Sequence, residues 1–141
     1  MPGDITLPQV QRGLAAQRAA EALLRTLGGS SVLVRVPTLG VAGDAAQLGL
    51  AGAATEDVQL QPVVVRNALV NAAILERQRR ELLVPASALV SAREIHEASA
   101  AREFFESAVG IFVDDRLLRV VSVFAEDFGG VPYLYRIVVS E

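Results

Sequence analysis

The chain contains no cysteine, no lysine and no tryptophan, and it has a single histidine, His96. Without cysteine it can form neither disulfides nor thiolate metal sites. Without lysine it cannot build a Walker-type phosphate loop, and no G-x-G-x-x-G fingerprint follows a predicted strand. No run of about 18 uncharged apolar residues occurs, and residues 1–10 lack the basic and apolar regions of a signal peptide. We therefore expect no membrane span and a cytoplasmic site of synthesis.

Few residues could carry catalysis. A catalytic histidine needs an orienting acid and usually a nucleophile, and the acids next to His96, Glu94 and Glu97, do not face it on a helix because sequence neighbours point apart. Two acidic dipeptides, Asp114-Asp115 and Glu126-Asp127, flank one predicted strand. There they are typical of solvated turns rather than of paired catalytic carboxylates or a hard-cation loop. We expect no enzymatic activity, no cofactor and no metal site.

The charge balance argues against a nucleic-acid-binding domain. The net charge is −3, whereas a nucleic-acid interface needs a basic face. The only basic cluster consists of Arg77, Arg79 and Arg80, and Glu76 and Glu81 bracket it. This pattern favours a solvated hairpin tip, with contact to a phosphate backbone as the alternative. All thirteen basic residues are arginine, which fits either a GC-rich coding sequence or a choice of bidentate interface pairing.

The chain is unusually apolar for its size. Its 141 residues fit one domain, and 52% of them are hydrophobic, with a mean hydropathy of +0.39. A domain of this composition has more apolar surface than its own core can hide. Burial of the remainder against neighbouring subunits would resolve the excess.

Periodicity predicts an α+β fold in a single domain over 1–141. The expected architecture is an N-terminal helix plus a mainly antiparallel β-sheet or small β-barrel, with one further short helix before a C-terminal hairpin. The predicted segments are a helix over 6–27, strands within 31–85 with a long loop over 38–55, a short helix over 97–108 and a hairpin region over 110–141. Residues 67–85 fit two strands with a charged tip better than the helix that their alanines and leucines also permit, and residues 86–95 have no clear assignment. On the first helix, Leu23, Leu24 and Leu27 share one broad apolar stripe.

The C-terminal region, GIFVDDRLLRVVSVFAEDFGGVPYLYRIVVSE, consists almost entirely of strand signals, with turns at Asp114-Asp115 and Gly129-Gly130. One face of its long strand is predicted to carry Leu118, Val120 and Phe124, and the other Leu117, Arg119, Val121 and Val123. Apolar residues on both faces indicate that one face lies in the core and the other against a neighbour.

Tyr133 and Tyr135 are predicted to share a face of the last strand, where core or interface packing is favoured over a base-stacking platform. The sequence thus predicts a candidate assembly surface. Its members are Val121, Val123, Tyr133, Tyr135, Arg77, Arg79 and Arg80.

The run from Val113 to Val120, VDDRLLRV, is followed by Phe128-Gly129-Gly130 and a final strand, YLYRIVV. It resembles the end of small tailed-phage neck proteins, the head-closure or head-tail connector proteins of phages and prophages. In that family a hairpin of the type V-D-G-R-x-Y-R-V-x-x-V leads to a last strand after a glycine-containing turn, and here Asp115 replaces the usual glycine. The similarity covers about the last 35 residues. The N-terminal helix fits tail-terminator proteins, another ring-forming neck component, at least as well.

The resemblance implies a non-enzymatic structural virion protein that forms a homo-oligomeric ring. Its partners would be portal, adaptor or tail proteins, with DNA only as passing cargo and with no cofactor, membrane or small-molecule substrate. Its place would be the neck or tail junction of the virion, after assembly in the cytoplasm of the bacterial host. The alternative from the residues alone is a small cytoplasmic β-barrel or α+β module that binds a ligand without catalysis. Which ring, its symmetry and its stacking partners are left open by the sequence.

Overall fold

The computed structural model describes residues 6–38, 54–67 and 79–141, with side chains from residue 11 onward. The elements are α1 Thr6–Thr26, β1 Ser30–Pro37, β2 Thr55–Asn67, β3 Arg79–Pro85, α2 Ala86–Arg93, α3 Ala98–Ser107, β4 Gly110–Val113, β5 Arg116–Phe128 and β6 Val131–Ser140. The predicted α+β class with a small barrel is confirmed.

The strands form one closed antiparallel barrel in the order β1-β2-β3-β6-β5-β4, and pairing of β4 with β1 closes it. Closure leaves no free sheet edge. Because the barrel has six strands, the β3–β6 pair lies diametrically opposite the β4–β1 pair. The outer faces of these two strand pairs therefore point in opposite directions.

Parts of two predicted hairpins lie within the described residues. Residues 79–85 form a strand, β3, which pairs with β2 from Val64↔Leu83 to Asn67↔Arg80. Arg79, Arg80 and Glu81 therefore lie in a strand rather than at the predicted charged tip. Residues 68–78, which include Arg77 and the first of the two predicted strands, lie outside the described residues, as do residues 39–53 of the predicted loop. At the other hairpin, Asp114 and Asp115 have φ of 50° and 63°, the left-handed pair that a two-residue primed turn requires, so the predicted Asp-Asp turn is confirmed.

The face assignment predicted for β5 is wrong beyond Val120. Val120 pairs with Val139 but Ser122 pairs with Val138, so Val121 is the extra residue of a β-bulge. One inserted residue exchanges the two faces of everything that follows. Val123 therefore points into the barrel with 8% of its surface exposed, and Phe124 points out with 49% exposed.

Two short helices close the barrel at the end where β3 stops and β4 starts, which we call the helix end. The opposite end, which carries the Asp114-Asp115 turn, is the turn end. Helix α3 confirms the predicted short helix, and α2 occupies the stretch without an assignment. Leu89 of α2 and Phe105 of α3 are fully buried in the same cluster as the inward residues of the strands. The Phe105 ring lies 6.5 Å, centroid to centroid, from that of Tyr135 on β6.

Helix α1 lies outside the barrel and contacts β6, β2, β3 and β5. It starts at the helix end, where a Cβ on Gly13 would come within 2.4 Å of the Val131 Cβ, so only glycine permits this approach. One turn further on, the Gln17 Nε2 donates a 2.8 Å hydrogen bond to the Pro132 carbonyl. The helix finishes at the turn end, where Gly28, with φ of 82°, leads the chain into β1.

Candidate functional site

A groove of about 340 Å³ runs between α1 and the outer wall of the barrel over β3 and β6. We call it the α1 groove. Its main lining residues are Ala20, Leu23, Leu27, Leu83, Tyr133 and Leu134. Of the predicted apolar stripe on α1, only Leu24 is buried, at 3% exposed, whereas Leu23 and Leu27 are each 58% exposed. Leu14 is 44% exposed as well, so α1 and the residue that follows it present three exposed leucines.

A second apolar surface crosses β1, β4 and β5. Leu33 pairs with Phe112, and Phe112 pairs with Leu117, so the three side chains stand side by side on the outer face. We call them the outer row. Leu33 is 39% exposed and Leu117 40%, with Phe112 half-buried between them.

An arginine holds one side of the outer row in place. The Arg35 guanidinium lies 4.6 Å from the centroid of the Phe112 ring, a cation–π distance. Its Nε and Nη2 also donate to the two carboxylate oxygens of Asp57, at 3.0 and 3.2 Å. This hydrogen bond lowers the pKa of Asp57 and raises that of Arg35. The bidentate pair therefore keeps the guanidinium plane over the ring.

The α1 groove and the outer row lie on opposite sides of the molecule. The groove is built on β3 and β6, and the outer row is centred on β4, which lies opposite β3 across the barrel axis. The two surfaces also differ in shape, because one is a groove beside a helix and the other a row of projecting side chains. They are therefore not equivalent halves of one patch.

The residues predicted as an assembly surface separate into three groups. Val121, 47% exposed, lies on the outer side of β5, and Tyr133 lines the α1 groove. Val123 is a core residue because the bulge at Val121 exchanges the faces of β5, and Tyr135, 1% exposed, lies in the core with Ile137 and Val139. The second register shift leaves Tyr133 as an extra residue of β6, so Tyr133 and Tyr135 do not share a face. Val123 and Tyr135 are corrections, since an inward side chain cannot contact a neighbour.

Two arginines of that predicted surface, Arg79 and Arg80, lie at the start of β3, at the turn end. The Arg80 Nη1 is 2.7 Å from the Asp114 carboxylate, so the positive charge at the start of β3 is partly neutralised across the barrel end. Arg66 likewise pairs with Glu81 on the neighbouring strand. Arg66, Arg80 and Asp114 line a polar pocket of about 460 Å³, and both of these arginines have acidic partners.

The two tyrosines do not form a stacking platform. The Tyr133 hydroxyl donates a 3.1 Å hydrogen bond to Glu126 Oε2, and the other oxygen of Glu126 lies 3.1 Å from Arg136 Nε. The hydrogen bond to the carboxylate raises the pKa of Tyr133. The ring is thus fixed at the edge of the α1 groove, on the outside of the wall that separates it from Tyr135.

Tyr135 is buried without a partner for its hydroxyl. Burial alone raises its pKa to about 12. An unpaired buried hydroxyl costs about 1–3 kcal/mol, so Tyr135→Phe should leave stability unchanged or raise it.

Alkaline titration should resolve Tyr135, because a chain without lysine has only its two tyrosines ionising between about pH 9 and 12. The folded-state pKa lies above the unfolded value near 10. The free energy of unfolding is therefore unaffected by this group below pH 10 and falls by about 2–3 kcal/mol as the pH rises through about 12. Tyrosinate absorbance should show Tyr133 ionising first and Tyr135 ionising together with unfolding. Tyr135→Phe should remove the second step and Tyr133→Phe the first, whereas loss of the late step in Tyr133→Phe would contradict the assignment.

The remaining polar candidates do not converge. His96 is exposed in the link between α2 and α3, and Asp114 and Glu126 have the partners given above. Among residues 6–38, 54–67 and 79–141, no three histidine or acidic side chains are placed to hold a metal ion. In the same residues, no helix is both long and apolar enough to span a membrane.

No known protein family, curated protein or solved structure matches the chain. The features that stand out in the fold are the two apolar surfaces. Sequence reasoning missed Leu33 and Phe112, because their proximity depends on pairing between strands far apart in the chain. It could have found Leu23 and Leu27 as leucines in excess of the one that a helix lying on a barrel has to bury.

Proposed function

We propose that the protein is a structural virion assembly protein of the head-tail connector or neck region of a tailed phage or prophage-like particle, and that it acts through ring-forming contacts between copies. The observation that supports this function is the pair of unlike apolar surfaces on opposite sides of one barrel. The assignment to a phage or prophage-like particle rests on the resemblance of the C-terminal hairpin to tailed-phage neck proteins. Head-closure and tail-terminator rings both remain within the proposal.

Two unlike surfaces on opposite sides favour a ring over a two-fold dimer. A two-fold dimer uses the same patch on both partners and would cover one surface only. Head-to-tail contact covers both surfaces on every copy, and it closes into a ring when the rotation between copies divides a full turn. Such contact would also account for the excess of apolar composition.

The segment that carries the phage resemblance occupies a fitting place in this scheme. VDDRLLRV forms the β4–β5 hairpin around the Asp114-Asp115 turn, and it supplies Leu117 to the outer row. The strand after Gly129-Gly130 is β6, which supplies Leu134 to the α1 groove. Both parts of the motif thus contribute to a surface proposed to contact a neighbouring copy. The two barrel ends would remain for portal, adaptor or tail proteins stacked above and below.

Electron microscopy of the purified protein, alone and mixed with phage particles whose tails have been removed, tests the proposed function. We expect closed rings and added density at the exposed neck. A protein that stays monomeric at high concentration and decorates no neck would contradict it. Portal, capsid or tail-tube genes beside the coding sequence would give independent support.

The α1 groove also favours a second candidate, a ligand-binding module without catalysis. Its volume of about 340 Å³ lies at the small end of ligand sites, and its lining suits an apolar ligand. Titration with an environment-sensitive apolar dye separates the two. Saturable binding of one dye per monomer, with no assembly at any concentration, would favour the ligand module over the ring.

A further inference from the structure

We propose that each copy in the ring inserts its outer row into the α1 groove of the next copy, with its acidic α3 against the basic surface of that copy's α1. The occupant of the groove is therefore a second copy of this chain. The inference rests on the proposed ring, and it specifies which surfaces meet and which way the barrels point.

The helix beside the groove is basic. Over residues 11–26, α1 carries Arg12, Arg18 and Arg25 against Glu21, a net charge of +2. Arg25 is paired with Glu21 at 2.9 Å. Arg12 and Arg18 are exposed, and neither forms a salt bridge with any residue that the structure describes.

The segment beside the outer row, residues 94–107, is acidic. It carries four exposed glutamates, Glu94 and Glu97 before α3 and Glu103 and Glu106 on it, against one arginine, Arg102, a net charge of −3. Helix α3 contacts β5 and β1, the two strands that flank β4. It therefore lies on the same side of the molecule as the outer row. The segment 94–107 and helix α1 therefore carry net charges of opposite sign.

Charge and apolar surface also match in order along the barrel axis. On the groove side, Arg12 lies at the helix end beside Gly13, and Leu27 lies at the turn end. On the other side, α3 lies at the helix end, and the outer row lies towards the Asp114-Asp115 turn. If neighbouring barrels point the same way, the acidic residues around α3 meet the arginines of α1, and the outer row meets the apolar lining of the α1 groove. Neighbours that point in opposite directions would place the α3 glutamates over Leu23 and Leu27.

The consequence is a polar ring whose two faces differ. One face would be formed by the helix ends of all copies and the other by the turn ends, so each face could stack on a different partner. Electrostatic matching of this kind fixes orientation and register more than it adds affinity.

The absence of cysteine makes the contact testable by crosslinking, since every thiol crosslink belongs to engineered positions. Leu23→Cys marks the groove and Leu117→Cys marks the outer row. With a short bismaleimide, each single variant alone should stay monomeric on a denaturing gel, and an equal mixture of the two should give dimers. A chain with both substitutions should give a ladder of oligomers. Ser91→Cys on α2, exposed but outside both surfaces, should not crosslink when mixed with Leu23→Cys.

Charge reversal provides a second test of the proposed contact. Arg12→Glu with Arg18→Glu, in the Leu23→Cys chain, should reduce mixed crosslinking about tenfold, because two attractive contacts become repulsive. Glu103→Arg with Glu106→Arg, in the Leu117→Cys chain, should restore it. Circular dichroism before crosslinking confirms that every variant is folded.

The outcomes separate this inference from the proposed function. Dimers formed by either single variant alone would indicate a two-fold contact and overturn the inference. Rings seen by microscopy without crosslinking in the mixture would overturn the inference and leave the ring standing. A wild-type protein that remains monomeric would overturn both. If charge reversal leaves the crosslinking yield unchanged, the proposed contact between α3 of one copy and α1 of the next is wrong.

Discussion

Val123→Asp is expected to unfold the protein, whereas Val121→Asp, two residues earlier on the same strand, is expected to leave it folded. The Val123 side chain lies in the barrel core, 8% exposed, and that of Val121 projects from the bulge, 47% exposed. A carboxylate buried among apolar side chains has no partner there and costs more than about 4 kcal/mol. Most of the stability of a domain of this size, about 5–15 kcal/mol, would be lost.

Urea unfolding followed by circular dichroism measures the difference between the two variants. We expect Val121→Asp to keep the wild-type midpoint within a few tenths of a molar unit and Val123→Asp to lack a cooperative transition. Equal destabilisation by the two variants would contradict the bulge at Val121. Equal effects are what strict alternation predicts, because it places both side chains on one face of β5.

Phe105→Ala is expected to lower the free energy of unfolding by about 3–5 kcal/mol, because it empties a fully buried aromatic site. Phe105 is 0% exposed and inserts from α3 towards Tyr135, so its removal detaches the helix that covers one barrel end. The neighbouring ring of Phe104, 5.1 Å away in an edge-to-face contact, is half-buried and provides a matched control.

Thermal and urea unfolding of both alanine variants tests this role. Phe104→Ala should cost markedly less than Phe105→Ala, because it removes an aromatic contact and part of a burial rather than a complete one. A larger loss for Phe104→Ala would mean that α3 is rotated relative to its described position. Equal losses would mean that neither ring fills the barrel end.

Local patterns were enough to predict most of the elements. The helix before Gly28, the hairpin at Asp114-Asp115 and the short helix around Phe105 each follow from periodicity bounded by turn residues. The eight-residue helix α2 has no assignment from the sequence because it is too short for a clear period. The role of Leu89 on α2 becomes clear only from the structure, in which this side chain covers one end of the barrel.

The surfaces could not be predicted in the same way. The outer row joins Leu33 to Phe112 across strands separated by most of the chain, so it depends on barrel closure. The exchange of faces after Val121 depends on a single inserted residue, and an alternating pattern with valine on both faces carries no signal for it. The candidate assembly surface therefore included Val123 and Tyr135, which the barrel encloses.

The most direct test of ring formation is the mass of the native assembly, measured by native mass spectrometry over a range of protein concentrations. Head-to-tail contact through two unlike surfaces predicts one dominant species with a fixed number of copies, more than two, and free monomer as its main companion at low concentration. A monomer at every concentration, or a dimer that grows no further, would contradict it.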